Sequence, residues 1–265
     1  MNKCVGIIGV GNMGEALLAG LIKAGHPAGD ICITDKRADH SAALASKYGV
    51  VDQKLSLIAA ECEVILVVVK PQDLAATLEE LKPTLGPRAL IVSFVAGKTI
   101  AGIESIIGGS HAVIRVMPNT PTLIGKGMAA ISPGSHASTE DLGFVRHFLG
   151  SSGKVVEVAE NLQDAVTATS GSGPAYFFAF VEAMVDGAKA LGLSDAIATE
   201  LTVQTIIGAA GMLAESGKDA TTLRENVTSP NGTTAAALES FANDRLGAIV
   251  ADAMAAAAKR SAELA

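Results

Sequence analysis

The chain has 265 residues, a formal net charge of -7, and 49% hydrophobic residues of which few are aromatic and none is Trp. That length suits one large domain or two modest ones, and the acidic balance argues against a nucleic-acid partner, which would need a basic face. Apolar stretches free of charge carry Gly and Pro or fall short of a membrane span, and the first strand starts too near residue 1 to leave room for a leader, so a soluble cytoplasmic protein without a membrane partner is expected.

Val5, Ile7 and Ile8 form an apolar run that turns directly into Gly9-Val10-Gly11-Asn12-Met13-Gly14. This is the G-x-G-x-x-G spacing of a dinucleotide-binding loop. The first glycine permits a sharp turn, the second lets backbone approach a pyrophosphate, and the third lets helix pack on strand. Apolar residues recur at helical spacing from Glu15 to Ala24, so a helix N-terminus would aim free N–H groups at the phosphates. Ile8, Gly9, Val10, Gly11, Asn12 and Met13 are therefore candidate coenzyme contacts. After a stop at Gly25 and Pro27, Ile31 to Asp35 reads as the second strand. Its end falls about twenty residues past the loop, where such a domain meets the adenosine ribose. Asp35 there favours the 2′-OH of NAD, while Lys36 and Arg37 favour the 2′-phosphate of NADP. The adjacent cations carry more weight, so NADP(H) is expected, with NAD(H) as the alternative.

Ala38 to Tyr48 reads as a helix, Gly49-Val50 as the start of a short strand, and Ser56 to Ala60 as a short helix. Val64 to Val69 is a β-branched run of the kind buried on both faces of a parallel sheet. Ligands of such sheets sit beyond the carboxyl ends of the strands. That places Val69, Lys70 and Pro71 over the coenzyme. Leu74 to Leu81 is helical, and Ala89 to Phe94 is a strand that leads to Ala96 and Gly97, small enough to admit the nicotinamide half. Ile100 to Ile107 is a helix. The strand from His111 to Val116 runs into Met117-Pro118-Asn119-Thr120-Pro121, a stiff loop that would wall coenzyme from substrate. Met117, Pro118 and Asn119 join the candidate coenzyme contacts. Gly127 to Ser132 is a further strand, Thr139 to Phe148 a helix capped by Ser138 or Thr139, and Val155 to Val158 the closing strand. Strand–helix alternation gives a doubly wound Rossmann domain over residues 1–160.

Residues 161–265 change character. Helical patterns cover Gln163 to Thr169, Pro174 to Leu191, Ser194 to Ser216, Asp219 to Val227, Thr233 to Asn243 and Arg245 to Leu264. Several are apolar on more than one face and need burial, so this half reads as an all-α domain that buries itself in a partner subunit. Ser170-Gly171-Ser172-Gly173-Pro174-Ala175-Tyr176 and Thr228-Ser229-Pro230-Asn231-Gly232-Thr233-Thr234 offer backbone N–H groups and hydroxyls before a helix, a setting suited to a small carboxylate. Cys4, Cys32 and Cys62 are far apart and the five histidines fall in no cluster. Neither gives the spacing of a disulfide frame or a metal site, so buried thiols and no metal are expected.

Taken together, GVGNMG at 9–14, VKP at 69–71, RVMPNTP at 115–121, SGSGPAY at 170–176 and VTSPNGTT at 227–234 resemble the pyrroline-5-carboxylate reductase family. The resemblance implies hydride transfer from NAD(P)H to the C=N carbon of 1-pyrroline-5-carboxylate, giving L-proline. It also implies a homodimer through the C-terminal helices, assembled in some members into a ring of dimers. Asn226, Ser229, Gly232, Thr233 and Thr234, with Pro174, match the positions around the substrate; Thr234 would hydrogen-bond the ring nitrogen and Glu160 would hold the electrostatics. Asn231 stands where the family usually has Gly, and it tolerates left-handed backbone well enough to keep the loop shape. Asp35 departs from the usual Ser or Asn. A β-hydroxyacid dehydrogenase would need a Lys at the start of the helix at 173–178, where there is none. A nucleotide-sensing module would need no substrate loops.

Overall fold

The computed structural model describes residues 3–109 and 111–264. The first compact unit comprises residues 1–172 and 256–265, the second residues 173–255. The first holds β1 (Val5–Ile8), α1 (Asn12–Lys23), β2 (Ile31–Thr34), α2 (Ala38–Tyr48), β3 (Val51–Asp52), α3 (Leu55–Glu61), β4 (Val64–Val67), α4 (Leu74–Leu81), β5 (Leu90–Ser93), α5 (Ile100–Ile107), β6 (Ala112–Met117), β7 (Gly127–Pro133), α6 (Thr139–Gly150), β8 (Gly153–Glu157) and α7 (Gln163–Val166). The second holds α8 (Gly173–Ala190), α9 (Asp195–Glu215), α10 (Ala220–Asn226) and α11 (Thr233–Asn243), and α12 (Leu246–Ala262) ends in the first unit.

One eight-stranded sheet has the order β3-β2-β1-β4-β5-β6-β7-β8. All neighbours are parallel except β6 and β7. The sequence reading did not anticipate that reversal. Its cause is length: residues 118–126 are too few for a crossover that returns the chain to the same end, and a short connection joins antiparallel strands. Every residue of β1, β4 and β5 is buried, because helices cover both faces of a parallel sheet. Two apolar clusters result. One gathers Leu17, Leu18 and Leu21 of α1 with Phe144 and Phe148 of α6; the other gathers Ile58, Leu78, Leu81 and Ile103 from α3, α4 and α5. Ser138, not Thr139, caps α6, and with Asp141 it forms a reciprocal capping box.

The boundary at 172 lies beyond the expected 160 because residues 160–171 are tied to the sheet. Gln163 is fully buried, and its Nε2 donates to Ser132 Oγ at 2.8 Å. The helix expected through Thr169 loosens into a π turn over Thr167–Gly171. Arg115, on β6, is 5% exposed; it lies 3.4 Å from Glu160 Oε1 and 3.8 Å from Asp164 Oδ1. Ser261 Oγ of α12 donates to Asp164 Oδ1 at 2.7 Å. Gly97, at φ 75°, leaves room for the C-terminal turn: a Cβ there would lie 2.5 Å from Leu264 Cβ and 2.7 Å from Ser261 O.

The second unit is helical throughout and poor in internal burial. Phe177 and Phe178 of α8, Leu201 and Ile207 of α9, and Ile249 of α12 are more than half or nearly half exposed. Among the described residues one helix, α9, is long and apolar enough to cross a membrane; it contains Glu200 and, as expected of the longest apolar stretches, glycine, and only 11% of its most apolar window is buried within the chain. Its two glycines, Gly208 and Gly211, do not interrupt the helix.

Arg115→Ala is expected to cost about 3 kcal/mol of folding stability in chemical denaturation, the low end of the range for breaking a buried ion pair. The low end applies because Glu160 and Asp164 keep roughly a third of their side-chain surface in water. No measurable loss would show that the cluster is not a structural tie.

Candidate active site

A cleft of about 940 Å³ opens at the carboxyl ends of β1, β2 and β4, lined by Ile8, Gly9, Gly11, Thr34, Asp35, Lys36, Arg37, Lys54, Val69, Lys70, Gln72 and Asp73 among others. β1 and β4 are the neighbours at which the strand order reverses, the switch point where open α/β sheets bind ligands. The loop glycines are required there. Gly9 has φ 91° and would place a Cβ 2.8 Å from Val68 O, while a Cβ on Gly14 would collide with Gly9 O. Gly11, which lines the cleft, caps α1 without a side-chain hydrogen bond, so the first-turn N–H groups of a twelve-residue helix start uncapped beside it. These features fit a dinucleotide.

Asp35 closes the loop from below. Its Oδ2 accepts from Val10 N at 3.0 Å and its Oδ1 from Arg37 N at 3.0 Å, with Arg37 Nε at 3.4 Å. Burial alone would raise its pKa, but the hydrogen bonds from Arg37 and Val10 outweigh that and hold the carboxyl below its ordinary value. Both oxygens thus serve the protein's own backbone. Lys36 Nζ reaches Asp73 Oδ1 at 2.6 Å across the rim, and three quarters of its side chain is exposed. Lys54 lines the same rim. The sequence reading missed it; the signal was a lone cation just before α3, with no motif around it.

The structure does not bring every candidate coenzyme residue to this cleft. Among the described residues, Val10, Asn12, Met13, Pro71, Ala96, Gly97, Met117, Pro118 and Asn119 do not line it. Val10 is fully buried, its N–H held by Asp35 and its carbonyl 2.8 Å from His40 Nε2. Gly97 makes space for the C-terminal turn. The Asn119 side chain is engaged at both ends: Nδ2 donates to Ser170 O at 3.1 Å, and Oδ1 accepts from Met128 N at 2.8 Å. A Cβ on Gly171 would collide with the Met117 methyl. The 115–121 loop and the 170–172 stretch are therefore packed together, which their separation in sequence does not reveal. Glu160 Oε1 accepts from Ile100 N at 2.6 Å and from Arg115 Nη1 at 3.4 Å. It caps α5 and pairs with Arg115.

In the second unit, Asn226 ends α10 and Thr228 Oγ1 donates to Arg224 O at 2.6 Å. Gly232 N donates to Ser229 O at 3.0 Å, closing a tight turn. Asn231 sits at φ 58°, left-handed as expected for the residue that replaces Gly. A Cβ on Gly232 would lie 2.5 Å from Ser229 Oγ, so glycine keeps that hydroxyl at the start of α11. No side chain caps α11. Its first-turn N–H groups, the Ser229 hydroxyl and the hydroxyls of Thr233 and Thr234 gather at one partly exposed helix end. Pro174 sits in the first turn of α8.

Comparison with known proteins agrees with this geometry. A family model described as pyrroline-5-carboxylate reductase dimerisation matches residues 160–264, and one described as NADP oxidoreductase coenzyme F420-dependent matches residues 4–97. The chain is 40% identical to pyrroline-5-carboxylate reductase of Pseudomonas aeruginosa over 98% of its own length and 96% of the relative's. A solved pyrroline-5-carboxylate reductase from Coxiella burnetii superposes with a TM-score of 0.92 at 32% identity, covering 100% of this chain and 99% of that one. Pyrroline carboxylate reductase of Plasmodium falciparum, solved with NADP bound, gives 0.88 at 29% identity over 99% and 98%.

The paired replacement Lys36→Ala with Arg37→Ala is expected to lower kcat/KM for NADPH by roughly 10–100-fold, the worth of one or two charge-assisted hydrogen bonds, and to leave that for NADH nearly unchanged. Equal losses with both coenzymes would remove these cations from 2′-phosphate recognition.

Proposed function

The chain belongs to the pyrroline-5-carboxylate reductase family, and on that premise we propose how its own residues carry the reduction of 1-pyrroline-5-carboxylate to L-proline by NADPH, the last step of proline biosynthesis. The observation that carries the reading is the glycine-loop cleft with cations at its ribose end, in a chain similar to these reductases over nearly its full length. The bound coenzyme supplies the hydride. Ile8, Gly9, Gly11, Val69 and Lys70 shape its bed, and Lys36, Arg37 and Lys54 take the 2′-phosphate. Asp35 has both oxygens committed to backbone, which weakens its claim on a ribose 2′-OH and supports NADPH over NADH.

The second unit holds the substrate. The N-terminal amides of α11, with Ser229, Gly232 and Thr233, bind the carboxylate, and Asn226 and Pro174 flank it. The Thr234 hydroxyl oxygen accepts a hydrogen bond from the N–H of the iminium ring, assisted by water. A cyclic imine is reduced most readily as its iminium, so the protein must position the ring and hold one proton more than supply a strong acid. The absence of His from these loops is then no obstacle. Glu160 contributes by position: it fixes the start of α5 and the Arg115 end of the 115–121 loop.

The exposed apolar faces of α8, α9 and α12 are covered by a second copy of the chain, in keeping with the dimerisation description matched over residues 160–264. That account makes a homodimer in the cytoplasm the working state, with a ring of dimers as a further assembly. It assigns the apolar length of α9 to a subunit interface and not to a lipid bilayer.

Two measurements check this reading. Purified protein should oxidise NADPH on addition of 1-pyrroline-5-carboxylate, and Thr234→Ala should lower kcat by about 10–100-fold while NADPH affinity stays within a factor of about two, as befits loss of a group used in the reaction step. Unchanged turnover would sink the role of Thr234, and no oxidation by protein that still binds NADPH would sink the reaction. Light scattering at micromolar concentration should give at least twice the chain mass of 26.8 kDa; a monomer would refute the covered interface.

A further inference from the structure

Three cysteines far apart in sequence meet at the amino ends of the strands, opposite the coenzyme cleft. Strands β2, β1 and β4 are adjacent. Cys4 immediately precedes β1, Cys32 is the second residue of β2, and Cys62 ends α3 just ahead of β4. Gly6 pairs in register with Cys32, and side chains two apart on a strand share a face, so Cys4, Gly6 and Cys32 all address the same side. Gly6 leaves a hole there: a Cβ at this position would collide with Ile58 and lie 3.4 Å from Cys62 Sγ. The thiols fill it. All three Sγ atoms lie within 4.8 Å of one another, and Cys4 Sγ is 2.8 Å from Cys62 Sγ.

We propose that Cys4, Cys32 and Cys62 form a binding site for one monovalent copper ion. Sulfurs bound about 2.3 Å from a common centre lie roughly 4 Å apart, so Cys4 and Cys62 Sγ, at 2.8 Å, would have to move apart by about 1 Å. Among the described residues, no His nitrogen or carboxylate oxygen joins the group. A structural zinc site takes four ligands, whereas soft thiolates alone suit Cu(I). Cys32 and Cys62 are buried and Cys4 is partly accessible, which gives the ion a way in. In the metal-free protein Gln53 Oε1 accepts from Cys32 Sγ at 3.2 Å, and its Nε2 donates to Glu61 Oε2 at 2.8 Å.

The test uses the full-length protein, reduced and kept anaerobic, titrated with Cu(I) against a chromogenic Cu(I) chelator, with Zn(II) as a parallel arm. One equivalent of Cu(I) withdrawn from the chelator is the expected result. Cys32→Ala and Cys62→Ala should each weaken binding by more than the roughly 10–100-fold that outer-shell changes cost. Cys4→Ser, at the partly accessible position, guards against misfolding of the buried variants: it should lose Cu(I) affinity while NADPH affinity and the far-UV circular dichroism spectrum are kept. No withdrawal, full affinity in Cys4→Ser, or tighter binding of Zn(II) than Cu(I) would overturn the proposal. So would a Cys4–Cys62 disulfide as the sole change on metal exposure, read as a loss of two hydrogens by mass.

Discussion

A parallel sheet hydrogen-bonds its interior completely but must be covered by helices on both faces. In this chain β1, β4 and β5 have no exposed residue. The sheet can then present chemistry only at the ends of its strands. At the carboxyl ends, backbone turns outward at Gly9, Thr34 and Val69 to form the cleft. At the opposite ends, Cys4, Cys32 and Cys62 converge. Both clusters follow from the same strand adjacency, β2-β1-β4. They differ in solvation. The cleft is lined by charge and open to solvent, while the thiols sit beside Ile58 in an apolar layer.

Charge inside the first unit is used to fix backbone. Asp35 binds two amides and so sets the glycine loop; Glu160 binds one and sets the start of α5. Arg115 links Glu160 to Asp164, and Ser261 extends the chain of contacts to the end of α12. A carboxylate held by backbone N–H groups is a weaker reagent but a better brace. Glu160 and the side chain of Asn119 both spend hydrogen bonds on backbone in this way.

The second unit obeys a different constraint. Its helices cannot bury Phe177, Phe178, Leu201 and Ile207 by themselves. Contiguous exposed apolar surface on this scale marks an interaction site. Its most polar feature is the uncapped start of α11, with Ser229 and Thr234 beside it, and Asn231 in left-handed geometry shapes the turn that leads there.

By itself, the sequence determined the periodic and local features. Continuous apolar runs marked the strands and period-3.6 patterns the long helices, since burial is written in the order of apolar residues. Turn chemistry gave the glycine loop and the loop before α11, because backbone conformation there depends on single residues such as Gly9 and Asn231. Tertiary structure alone decided what depends on partners distant in the chain. It reversed β7 and occupied Gly97 with the C-terminal turn. It bound Asp35 to Val10 and Asn119 to Ser170, and it added Lys54 to the cleft. It also brought together three thiols that spacing had separated. Sequence spacing reports neighbours along an element; which side chains meet across elements is set by strand order and packing, which no local pattern encodes.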